Sequence, residues 1–156
     1  MTARIEPVGT PYIPESMTDP YIVACGSAVA LCFLAMKQQG NKQIPMGFAV
    51  IKTKNCLVFQ SGYPNDEARG YHPLAAFGLD TVTIGRVKDS EWVKEVTDQN
   101  KKGWPNTDYS AYEHYIYSFK ETTFEMIAQD VSITVSDQSL SDVKKEITEW
   151  LESVIE

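Results

Sequence analysis

The sequence predicts an α+β fold: a mostly antiparallel sheet meander, a short mid-chain helix and a C-terminal helix packed on one face. Three observations carry this. Short apolar or alternating runs rich in Val, Ile, Thr, Phe and Tyr fill most of the chain between residues 21 and 136. Two segments have helical spacing together with capping residues. The regular strand–helix alternation that a doubly wound parallel sheet requires is missing.

Taken in order, residues 1–20 are proline-rich and without periodicity, which predicts an extended arm lying on a single domain formed by residues 21–156. The run YIVACGSAVALCFLAM favours two strands, or one strand with a bulge, over a helix begun at Asp19-Pro20, because Gly26-Ser27 would weaken a helix. MGFAVIKTKNCLVF predicts a hairpin turning at Lys54-Asn55. LDTVTIGRV alternates as a half-buried strand. In SEWVKEVTDQNKKG, Ser90 caps a helix that turns Trp92, Val93 and Val96 inward and ends before Gly103. HYIYSFKETTFEMIA predicts a second hairpin. With Glu121-Thr122 as its turn, Phe119 lies opposite Phe124, Tyr117 opposite Met126 and Ser118 opposite Glu125. VSITV continues as a strand. Last, Ser139 begins a helix whose Val143, Ile147, Trp150, Leu151 and Val154 form one apolar stripe.

Composition narrows the function classes. With 43% hydrophobic and 22% charged residues, a chain of 156 residues is a folded domain, not a disordered one. A formal charge of −7 with scattered Lys and Arg argues against nucleic acid and anionic membrane surfaces as partners. The longest apolar run contains Gly26 and Ser27 and falls short of the ~20 residues of a membrane span. Glu6, Glu15 and Asp19 beside a lone Arg4 do not make the basic start of a secretory leader. Cys25, Cys32 and Cys56 form no CxxC pair and lie in apolar runs, which predicts shielded, reduced thiols and a cytoplasmic protein.

Chemistry concentrates in GYPNDEARGYHPL, residues 62–74. The catalytic candidates are Asp66, Glu67, His72 and Glu125, carboxylates and a histidine suited to general acid–base work. The binding candidates are Asn65, Arg69, His114 and Tyr117, the last from an aromatic-rich stretch that otherwise supplies core. Every loop residue also has a local role: Asp66 as the cap of one helical turn, Gly70 as its end, Pro73 holding His72 extended, with Glu67 and Arg69 exposed. His114, at a strand start, is expected to be half-exposed. No zinc spacing, GxGxxG, P-loop or GxSxG occurs, so no metal, nucleotide cofactor or serine-elbow chemistry is expected.

The strings GYPNDEARGYHPL and HYIYSFKETTFEMIA together resemble a set of small uncharacterised bacterial proteins with a PNDEA–HPL stretch followed by an FHDSTFE-like hairpin. The resemblance covers residues 62–128 and implies a bacterial single-domain cytoplasmic protein in which loop and hairpin belong together. It supplies no activity, and Lys120 and Glu121 stand where the set has His and Asp. Two functions fit. The first is a non-catalytic, acidic binding or interaction protein taking a protein partner or a small ligand. The second is a small hydrolase-like enzyme using the carboxylate/His cluster around residues 64–72, which requires Asp66, His72 and Glu125 to share one pocket.

Overall fold

A computed structural model describes residues 3–8, 12–15, 18–79 and 84–155. The chain is α+β and built from antiparallel strands. In order these are β1 (Arg4–Pro7), β2 (Tyr12–Pro14), β3 (Tyr21–Cys25), β4 (Ala28–Gln39), β5 (Lys42–Thr53), β6 (Asn55–Gly62), β7 (Ile84–Lys88), α1 (Glu91–Lys101), β8 (Glu113–Ser118), β9 (Thr123–Gln129), β10 (Ser132–Ser136) and α2 (Leu140–Val154). The run after Asp19 is thus two strands turning at Gly26-Ser27. Of LDTVTIGRV, residues 80–83 lie outside the described residues and Ile84–Val87 is strand.

The strands divide into two sheets. The first has the order β1-β7-β8-β9-β6; the second runs β10-β5-β4-β2, with β3 also on β4. The two arm strands are therefore split, β1 joining the first sheet and β2 the second. The sheets face each other across an apolar layer. Val29, Leu31, Phe33, Ala49 and Ile51 come from the second sheet, and Tyr117, Phe119, Phe124, Met126 and Ala128 from the β8–β9 hairpin. Phe33 meets Phe119 edge to face across this layer, ring centres 5.2 Å apart.

Because strand side chains alternate, each sheet also has an outer face. On the second sheet Ala30, Cys32 and Val50 point outward and are covered by Val143 and Ile147 of α2. Trp150 is only half-buried at the edge of that contact, with the Lys52 ammonium 5.5 Å from its ring. Both helix starts follow the capping expectation: Ser90 accepts from the Val93 amide and Ser139 from the Asp142 amide.

Three expectations fail here. Lys54-Asn55 is not a hairpin turn, since β5 pairs with β4 and β10 while β6 pairs with β9. The chain crosses between sheets, and the Thr53 hydroxyl holds the crossing by donating to the Gln129 carbonyl (2.7 Å) and accepting from the Asn55 amide (3.0 Å). The second hairpin turns at Lys120-Glu121, putting Tyr117 opposite Phe124 and Ser118 opposite Thr123. Asp19 fixes this turn by accepting from the Glu121 amide (2.9 Å) and the Thr122 hydroxyl (3.0 Å). The register moves by two residues, so every side chain keeps its expected face.

The third failure concerns the thiols. Cys32 and Cys56 are buried, but Cys25 is exposed at the end of β3. Burial pushes the Cys56 thiol up to about 11. A thiol reagent added to the native protein is expected to modify one cysteine quickly, Cys25, and the other two only on unfolding. Rapid native modification of Cys56 would contradict this packing.

Candidate functional site

The outer face of the first sheet carries the polar residues. His114 on β8, Glu125 and Thr123 on β9, and Gln60 on β6 point away from the core; register sets Gln60 directly beside Glu125. The segment from Tyr63 to Gly78, with short helical turns at Arg69–Tyr71 and Ala75–Phe77, and the first turn of α1 lie over this face.

Four groups form a continuous relay. The Leu74 amide donates to His72 Nδ1 (2.9 Å). An amide N–H can only donate, so Nδ1 holds a lone pair and the ring proton sits on Nε2. That proton is given to Glu125 Oε2 (3.0 Å), which also accepts from Gln60 Nε2 (2.9 Å). Glu125 Oε1 faces His114 Nε2 at 2.8 Å. The ionised Glu125 can only accept, so His114 carries a proton on Nε2. In the tautomer with that proton alone, His114 Nδ1 accepts from the Ser90 hydroxyl, 2.7 Å away. Ser90 Oγ also accepts the Val93 amide (3.2 Å).

The relay is buried: the side chains of His72, His114 and Glu125 are 7%, 3% and 7% exposed. Burial works against the charge on Glu125, but the hydrogen bonds from His114 and His72 outweigh it and hold the carboxyl at about 2. Trp92 closes one side, its ring edge-on to His114 with centres 5.0 Å apart. Each histidine nitrogen faces its own partner, and among the described residues no cluster of three ligating side chains could hold a metal ion.

Over the relay opens a cavity of about 780 Å³. Its lining includes Tyr63, Tyr71, Phe77 and Trp92, with Ser90, His72, His114 and Glu125 reaching it from below and Glu91 and Glu95 from α1. This volume lies within the range of small-molecule sites. Its charged lining residues are all acidic; no Lys or Arg contributes among the described residues.

The sequence candidates scatter around this centre. His72 and Glu125 meet, and His114 joins them buried instead of half-exposed. Asp66 does not line the cavity: its carboxylate takes Lys120 Nζ (2.9 Å), a hydrogen bond that holds it below the usual carboxylate range. Nor does Asp66 cap the turn, because Asn65 Oδ1 accepts the Ala68 amide (3.1 Å). Glu67 is exposed, as expected. Arg69 is 3% exposed, against expectation: its guanidinium donates to the carbonyls of Phe119 and Thr122 and to the Thr123 hydroxyl, tying the segment to the hairpin. Tyr117 is buried between the sheets, its ring centre 5.9 Å from that of Phe124, and cannot serve a ligand. Ser90, Gln60 and Trp92 are the members that sequence reasoning missed. Comparison with protein-family models, curated proteins and solved structures gives no match for this chain.

Proposed function

We propose that this protein binds a small organic cation with an apolar body in the cavity above the Glu125 relay. One observation carries the reading: a cavity of about 780 Å³ whose charged lining groups are all carboxylates and whose mouth presents aromatic rings. Tyr63 and Tyr71 are 79% and 90% exposed there, an arrangement that suits cation–π contact and costs an anion or a phosphate heavily. A small ligand is thereby favoured over a protein partner or nucleic acid. Free thiols, two of them buried, support a reducing cytoplasmic setting, and no described helix is long and apolar enough to cross a membrane.

Calorimetric titration with choline and its neutral isostere 3,3-dimethylbutan-1-ol tests the reading. Choline is expected to bind at least about tenfold more tightly, the value of a partly desolvated cation–π contact. Glu91→Gln combined with Glu95→Gln should narrow the gap. Equal binding of the two compounds, or binding of neither, would refute it.

A further inference from the structure

The relay ends in a hydroxyl that faces the cavity, and its hydrogen-bond assignments leave that hydroxyl poised. With His114 protonated on Nε2 alone, Ser90 gives its proton to Nδ1 and one lone pair to the Val93 amide, so one lone pair remains for a ligand. His114 is held on its far side by Glu125, which is fixed in turn by His72 and Gln60. A hydroxyl, an imidazole and an orienting carboxylate in hydrogen-bonded series are what nucleophilic acyl transfer requires. We infer that Ser90 is an acyl-accepting nucleophile, with His114 as its base, and that a carboxylic ester carried into the cavity is its substrate.

The step balances without any added reagent. Ser90 Oγ bonds to the carbonyl carbon as its proton passes to His114 Nδ1, and the carbonyl electron pair moves onto oxygen. α1 begins at Glu91, directly after Ser90, and the amides of Glu91 and Trp92, in the first helical turn and without an acceptor in the helix, are the donors assigned to that oxygen. Collapse expels the alcohol, which takes the proton from Nδ1. Water then adds to the acyl group, its proton passes to Nδ1 and on to the departing Ser90 oxygen, and the acid is released. Ser90 and His114 are the catalytic residues; Glu125, His72 and Gln60 are positioning residues. That the ester bears a cationic group rests on the binding reading above, whereas the nucleophile does not.

Diisopropyl fluorophosphate, an uncharged probe, separates the two. Attack by Ser90 forms an O–P bond, breaks P–F and releases fluoride, leaving a stable mass increase. Peptide mass spectrometry of the treated native protein is expected to place one adduct per chain on Ser90, and choline should slow its formation. Ser90→Asn keeps the helix cap and should remove the adduct. Para-nitrophenyl acetate should give a burst of one equivalent in the parent and none in Ser90→Asn. An unmodified Ser90, or slow labelling spread equally over Ser90 and exposed serines such as Ser139 and Ser153, overturns the inference even where choline binds. Labelling of Ser90 without choline binding would leave the nucleophile standing and remove only the cationic ligand.

Discussion

Replacing Glu125 by glutamine is expected to cost roughly 3–5 kcal/mol at neutral pH, the loss that follows breaking a buried charged network from one side. An amide offers one acceptor and one donor where two imidazole N–H groups converge. His72 cannot adapt by moving its proton to Nδ1, because that hydrogen would meet the Leu74 amide. The effect carries a pH signature whose sign is fixed. The folded carboxyl, at about 2, lies below its unfolded value of about 4.3, so between them the unfolded chain binds more protons. The stability contributed by the Glu125 charge is therefore complete above about pH 5 and is lost as pH falls toward 2. Urea unfolding of parent and variant at pH 7, 4 and 2.5 should show the gap shrinking with acid. A gap independent of pH would mean that the charge on Glu125 contributes nothing.

Gly47→Ala is the second large effect, expected at about 3–5 kcal/mol. Gly47 has a φ of +98°, and a Cβ built there would lie 2.2 Å from the Ser136 carbonyl oxygen of β10. The site is next to the irregularity at Ala35/Met36 in the β4–β5 ladder, one residue from Phe48, which pairs with Ser136 of β10. Backbone strain of about 1–3 kcal/mol adds to an overpacking cost of similar size. The contact is with backbone, so no side-chain rotation relieves it. Denaturant midpoints check the claim, and an unchanged midpoint would show that β10 can move away freely.

How much of this was legible in the sequence follows from the range of each signal. Both helices could be placed to within a residue or two because Ser90 and Ser139 cap locally and the apolar stripe of α2 repeats at helical spacing. The faces of β8 and β9 could be assigned because alternation survives a register shift of two. The division into two sheets was hidden. Lys54-Asn55 makes a credible tight turn on its own, and only the competing partners of β5 and β6, far away in sequence, decide otherwise. The site suffers in the same way. His72 and Glu125 stood out by residue type, but Ser90 looked complete as a helix cap. Its second role depends on β7 lying against β8, with Val87 beside His114. Gln60 needed the β6–β9 pairing. Arg69 was misjudged because burial of a guanidinium requires three acceptors from the hairpin, and backbone carbonyls have no sequence signature.

The split between sheets sets a clock on synthesis. The β4–β5 hairpin is complete once residue 53 has been made, yet the strands that cover its inward Val29, Leu31, Phe33 and Ile51 end only at Gln129. At about 5–20 residues per second, translation leaves that apolar face uncovered for roughly 4–15 s. Closing of a local hairpin takes about 1–10 μs, so the ribosome and not the chain limits the first half of folding. Throughout that interval the nascent protein offers an exposed, β-rich hydrophobic sheet of the kind that chaperones hold and that neighbouring chains can capture.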